Sequence, residues 1–174
     1  ITVEYVSKRK NQLTVCKAIE KLILENNIKY NIKYKIIGKV LDEKVFNLIK
    51  KYPFVEYIPF LSKEDLINEY RISDIFVMPS LTETFGLTYV EAMSQGLPIV
   101  YSKYQGIDGY FDDGIVGFGV NSMDINEISY CISKIMKDYV RFSNESTQNS
   151  LGFNWEDITE RYQRMYNEII YLNE

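Results

Sequence analysis

The chain has 174 residues, 46% of them hydrophobic, which is enough to bury one core and too few for two ordinary domains. Its formal net charge of -4, with lysines scattered along the chain, lacks the clustered basic footprint of a nucleic-acid binder. Histidine is absent from the sequence, so any imidazole acting as base or metal ligand has to come from another chain or domain.

Taken in order, strand-like and helix-like patterns alternate. ITVEYV, residues 1–6, reads as a core strand entered without a lead-in, which is expected of a piece of a longer protein. From Asn11 to Glu25, Leu13, Cys16, Ile19, Leu22 and Ile23 recur at helical spacing. IKYKIIG is β-branched and closed by Gly38; a helix follows from about Leu41 to Lys51, then a strand FVEYI between Pro53 and Pro59. In SKEDLINEY, Ser62 with Asp65 three residues later is a weaker form of the capping box. DIFVMP is an apolar strand stopped by Pro79, and LPIVYS is another after the intervening helix. A Gly- and Asp-rich stretch without periodicity runs from Gln105 to Gly119, followed by two or three helices. The last, WEDITERYQRMYNEIIYL, sets Trp155, Ile158, Tyr162, Met165 and Ile169 on one face; the tyrosines and Phe153 to Trp155 are expected in the core and in helix docking.

This order predicts an α/β fold, a Rossmann-like parallel sheet with helices on both faces. No stretch reaches the roughly 20 apolar residues of a membrane span. Cys16 and Cys131 lie far apart in apolar helical patterns, as expected of buried thiols in a reducing, cytoplasmic compartment.

In such sheets ligands bind beyond the carboxyl ends of strands, at helix N-termini. DIFVMP delivers the chain into SLTETFG at such an end. Gly86 removes a Cβ that would keep a ligand away, and the amides of Gly86, Leu87 and Thr88 would offer donors to a phosphate. Glu91 stands five residues into the helix, about 7 Å along its axis, but helical side chains lean towards the N-terminus. Its carboxylate can then accept from both hydroxyls of a ribose, while Glu83 ahead of the helix faces a sugar on the other side of the phosphate. Taken alone, a glutamate at either place is more often a cap or a solvated side chain. Asp112 and Asp113 are adjacent in a turn, without the intervening residue of a metal-binding acidic pair; no metal and no cofactor are expected.

PSLTETFGLTYVEAMSQGLPIV resembles the E-x7-E signature of the retaining glycosyltransferases called family four, whose GT-B fold has two Rossmann-like domains. KNQLTVCKAIEKL resembles their first helix, IIG the second strand, RISDIFVMPS the strand before the motif and NWEDITERYQRMYNEI the terminal helix. The resemblance is to the C-terminal, nucleotide-sugar-binding half, with residues 1–174 as that domain and the N-terminal acceptor domain outside this chain. Within the family, YSKYQGIDGYFDDGIVGF is similar to enzymes of bacterial capsule and surface-polysaccharide assembly.

The resemblance implies roles. Glu83 lies by the donor sugar, Glu91 holds the ribose, and the amides of Phe85, Gly86, Leu87 and Thr88 cradle the diphosphate. Lys10, in RKNQ, stabilises the departing nucleoside diphosphate as its charge develops. Gly106 permits close approach at the sugar end, and Ile58, Phe60 and Leu61 lie near the base. The family commonly carries Gly-Arg five to six positions before that lysine, where this sequence has Glu4 and Tyr5. Either Lys8 or Arg9 supplies the missing charge, or diphosphate binding weakens. The resulting expectation is a hexosyltransferase moving sugar from a nucleotide sugar to a carbohydrate or lipid-linked acceptor, in the cytoplasm and, through a lipid-linked acceptor, at the inner face of the membrane. Tyr5 keeps a non-catalytic nucleotide-sugar-binding module open beside it.

Overall fold

The layering follows from residues that alternate between two faces. The computed structural model describes residues 1–25 and 31–171. In chain order these form β1 (Thr2–Val3), a 3-10 turn (Lys8–Lys10), α1 (Gln12–Glu25), β2 (Tyr34–Ile37), α2 (Glu43–Ile49), β3 (Val55–Ile58), α3 (Lys63–Arg71) and β4 (Phe76–Val77). There follow α4 (Leu87–Ser94), β5 (Ile99–Ser102), β6 (Gly117–Val120), α5 (Ile125–Lys137), α6 (Tyr139–Ser150), a second 3-10 turn (Leu151–Phe153) and α7 (Trp155–Tyr171).

All strand pairs are parallel, β1-β2-β3 in one ladder and β4-β5-β6 in another. The ladders meet where the Ile1 nitrogen donates to Ile75 O (2.8 Å) and Val77 N donates to Ile1 O (2.9 Å), a parallel bridge between β1 and β4. The Thr2 hydroxyl reinforces it by donating to Val77 O. The strands therefore stand in the order 3-2-1-4-5-6, and the order reverses between β1 and β4. The expected Rossmann-like α/β fold is the one observed.

Ile36, Val77 and Val100 point to one face, where Val15, Cys16, Ile19 and Leu22 of α1 and Ile128, Ile132 and Ile135 of α5 cover them. Their chain neighbours Ile37, Phe76, Met78, Ile99 and Tyr101 point to the other, beneath Tyr70 of α3 and Tyr89, Ala92 and Met93 of α4. This is the side-chain alternation of a strand buried on both faces. Cys16 and Cys131 are both buried free thiols.

Several elements differ from the sequence reading. α2 is shorter than Leu41 to Lys51, because the Asp42 carboxylate caps it by accepting from Lys44 N (3.0 Å) and Val45 N (3.1 Å). In α3 the Ser62 cap accepts from Asp65 N (3.1 Å), but Asp65 accepts the Ser62 hydroxyl (2.6 Å) rather than closing a full capping box. β6 begins inside the stretch read as irregular: its register against Ile99–Ser102 supplies the order that GFGV lacks by itself. The expectation that the aromatic residues near the end pack into the core fails for α7. Trp155, Tyr162, Met165 and Ile169 are exposed rather than buried in the core. Phe153 does pack, against Phe85, Tyr110 and Phe111. Among the described residues, no helix is long and apolar enough to cross a membrane.

Candidate functional site

In doubly wound sheets the reversal of strand order marks a crevice beyond the carboxyl ends of the strands, here between the two loops that leave β1 and β4 and form its walls. They are stitched together first by Asn11. Its left-handed backbone (φ 61°) is one that Asn tolerates, and it lets the side-chain amide donate to Pro79 O (2.9 Å) and Ser122 O (2.7 Å). Leu81 N adds a bond to Arg9 O (2.7 Å).

That stitching brings Lys10 to Glu83. The Lys10 ammonium is 2.8 Å from Glu83 Oε2 and 2.9 Å from Glu4 Oε2, with its side chain only 3% exposed. Glu83 is held from several directions. Its backbone N–H donates to Gln105 Oε1 (2.8 Å), and the Gln105 amide in turn donates to Ser80 O (3.2 Å) and Leu81 O (3.3 Å). Its Oε1 accepts from Thr84 N (3.1 Å). Gly106, with φ +63°, backs the side chain so closely that a Cβ there would stand 2.9 Å from Glu83 Cγ. Gly106 does permit close approach, but what it admits here is Glu83.

The opposite end of the loop is the start of α4. Gly86 caps it at φ 84° with no side-chain cap bond, so the first-turn amides of Leu87 and Thr88 have no intrahelical acceptor. A Cβ on Gly86 would lie 2.4 Å from the Tyr89 ring, which fills the space beneath and donates its hydroxyl to Met78 O (2.5 Å). Burial first, then the carboxylates Glu83 and Glu4, push the Tyr89 phenol well above its ordinary range. The Thr88 hydroxyl is buried with no partner among the described residues, as is that of Ser80. Glu91, on the exposed side of α4, accepts from the buried Tyr70 hydroxyl (3.3 Å). Burial, then the Glu91 charge, raises the Tyr70 pKa and keeps that phenol a donor.

Phe85 points the loop away from the core, into a cluster with Tyr110 (5.3 Å between ring centres) and Phe153 (5.9 Å). The residues read as base contacts are placed less closely. Leu61 packs at the edge of the core beneath α4, whereas Phe60 is 81% exposed after β3. Arg9 enters the stitching through its backbone carbonyl, and its side chain is exposed. Asp113 accepts from Gly119 N (2.9 Å), a turn-closing role. Among the described residues no group of three or more His, Cys, Asp or Glu could hold a metal ion. A cavity of about 720 Å³ opens at the amino ends of the strands, lined by Lys33, Tyr34, Asp74 and Met136, away from Lys10, Glu83 and Glu91.

The sequence reading missed Gln105 and Tyr70, which carried no pattern of their own. It noted Glu4 only as a departure, without its ion pair to Lys10.

The model of the family described as glycosyl transferases group 1 matches residues 1–152. A D-inositol 3-phosphate glycosyltransferase of Mycolicibacterium smegmatis is 33% identical over 102 residues, covering 58% of this chain and 24% of the relative. The chain thus spans about a quarter of the length of the curated relatives it matches. Among solved structures, the pneumococcal O-GlcNAc transferase in complex with UDP and GlcNAc superposes with a TM-score of 0.79 at 20% identity, covering 97% of this chain and 35% of that one. The C-terminal domain of a glycosyl transferase group 1 protein from Francisella tularensis gives 0.74 at 16% identity, covering 87% of this chain and 84% of that one.

Proposed function

Since the chain belongs to the glycosyl transferases of group 1, we propose that it is the donor-binding half of a retaining hexosyltransferase. The enzyme would move a hexose from a nucleotide diphosphate sugar to a hydroxyl of a carbohydrate or lipid-linked acceptor, in surface polysaccharide or glycolipid synthesis. The observation that carries the reading is that, at the strand reversal, the buried Lys10 ammonium meets Glu83 (2.8 Å) on the loop that leads straight into the uncapped start of α4. Leaving-group charge would be met by Lys10 and by the amides of Phe85, Gly86, Leu87 and Thr88, so that no metal or other cofactor is required. Glu83 would accept from the donor sugar and Glu91 from the ribose. The solved pneumococcal transferase carries UDP and GlcNAc, which makes UDP the first nucleotide to test.

In this reading the acceptor site lies in an N-terminal domain beyond the described chain, and closure of the two halves excludes water before transfer. The isolated half would bind donor and turn over little. The protein would work in the cytoplasm, at the inner face of the membrane where the acceptor is lipid-linked. A non-catalytic nucleotide-sugar-binding module is favoured by one observation, that Glu4 rather than a second cation stands beside Lys10. Turnover by the full-length protein separates the two.

The test is calorimetric titration with UDP, GDP and their hexose conjugates. One nucleotide should bind saturably, and Glu91→Ala should weaken it at least tenfold by removing the ribose acceptor. Saturable binding unaffected by Glu91→Ala would place the nucleotide elsewhere, and the absence of binding to all of them would end the donor-site reading.

A further inference from the structure

Lys10 is a buried cation that already has one more counter-charge than it needs. Two carboxylates reach it, Glu83 at 2.8 Å and Glu4 at 2.9 Å, and no other lysine or arginine is paired with either among the described residues. One positive charge against two negative ones leaves this cluster with a net negative charge, which opposes the approach of a diphosphate to Lys10. The two carboxylates are not equivalent. Glu83 is 7% exposed and fixed through Gln105, Thr84 and Gly106. Glu4 is 22% exposed, and among the described residues its other oxygen accepts from the adjacent Tyr5 N–H (3.0 Å), a bond that local solvent can replace.

We propose that Glu4 is a displaceable internal counter-anion for Lys10: it occupies the ammonium while the donor site is empty and must swing into solvent before a diphosphate can take its place. The inference rests on the donor-site reading above and deepens it by naming a residue that sets affinity at that site. Glu4 thus acts as a gate on anion binding. It gives the buried ammonium a second acceptor beside Glu83 in the empty protein, and it lowers affinity for every ligand that uses Lys10. Because the gate competes for phosphate contacts, its effect should be the same for UDP and GDP and absent for a nucleoside, which carries no phosphate.

The experiment is titration of UDP, GDP and uridine into the intact protein and its Glu4→Gln, Lys10→Ala and Glu4→Gln/Lys10→Ala variants, each checked for an unchanged circular dichroism spectrum. Glu4→Gln keeps the shape of the side chain and removes its charge; it should tighten diphosphate binding about tenfold and leave uridine unchanged. In the Lys10→Ala background the same change should have at most a twofold effect, since Glu4 acts through that ammonium. Diphosphate binding that is lost with Lys10→Ala but unchanged or weakened by Glu4→Gln overturns this inference and leaves the donor site standing. Tightening by Glu4→Gln that persists without Lys10 overturns it too, since Glu4 would then be acting on the ligand directly. Failure of every form to bind UDP or GDP removes both the gate and the donor-site reading.

Discussion

The two walls of the crevice are built to different standards. On the β4 side, Glu83 is tied through its backbone, its carboxylate and the close approach of Gly106, and the loop leads into α4, whose Tyr89, Ala92 and Met93 are buried. On the β1 side, Tyr5 is 48% exposed, Lys8 and Arg9 lie open, and Glu4 is held by a bond from the adjacent Tyr5 N–H and by its pair with Lys10. The β4 wall is set before any ligand arrives, whereas the β1 wall can rearrange at little cost. Lys10 joins them, a buried charge with only 3% of its side chain exposed.

Replacing residues at that junction tests the contrast most strongly. Lys10→Met leaves the buried Glu83 and the nearby Glu4 without a cation and should cost about 3 kcal/mol in urea denaturation. Glu83→Gln, which keeps the shape and loses the buried ion pair, should cost roughly 1–3 kcal/mol. Glu4→Gln should cost less than about 1 kcal/mol, since its pair is partly open to solvent and Glu83 remains to hold the lysine. Equal costs for the two glutamate variants would mean that the walls are equally rigid, and the distinction would fall.

An effect comparable to that of Glu83→Gln is expected where the β4 wall meets its helix. Gly86→Ala forces a side chain into the left-handed region and sets a Cβ 2.4 Å from the Tyr89 ring. The backbone term alone is about 1 kcal/mol, and displacing Tyr89 should raise the total to about 2–3 kcal/mol. Gly109→Ala is the control, because its φ of +87° is similar and nothing lies within 4 Å of the added Cβ. It should show the backbone term alone. Thermal melts of the two variants compare them directly, and matching losses would show that Tyr89 yields freely and the wall is less fixed than its contacts imply.

The same contrast explains how much the sequence disclosed. Strongly periodic or continuously apolar segments, such as Asn11 to Glu25 and DIFVMP, announced the sheet and its helices because burial on both faces leaves a local mark. Glu83 and Glu91 were legible because fixed spacing around a glycine carries the helix start with it. β6 was not, because two glycines in GFGV give no strand signal and the order comes from β5. Gln105 and Tyr70 reach Glu83 and Glu91 from 22 and 21 residues away, contacts that only the folded chain creates. Glu4 was visible as a departure but not as the second partner of Lys10, because no local pattern reports which side chains a parallel crossover will bring together. The apolar face of α7 was equally plain in sequence, but periodicity states that a face exists and not what covers it.

The smallest expected effect is one of pH, and it falls on the β4 wall. Tyr70 and Tyr89 both have pKa values raised from 10.0, burial being the largest cause, with Glu91 acting on the first and Glu83 and Glu4 on the second. A phenol whose folded pKa lies above its unfolded value stabilises the fold fully below pH 10 and loses that contribution as pH rises towards the folded value. Cys16 adds to the same trend, since burial pushes its thiol up to about 12 from 9.0, so its contribution is lost between those values. Stability should decline above about pH 9. Tyr70→Phe should cost less than about 1 kcal/mol at neutral pH, because its bond to Glu91 is long and half open to solvent, and should make the decline above pH 10 shallower. Melting temperatures from pH 7 to 11, with tyrosinate absorbance followed in parallel, provide the check. If the decline is as steep in Tyr70→Phe as in the parent chain, the tyrosine beneath Glu91 is not part of the fixed wall, and Glu91 is then supported by α4 alone.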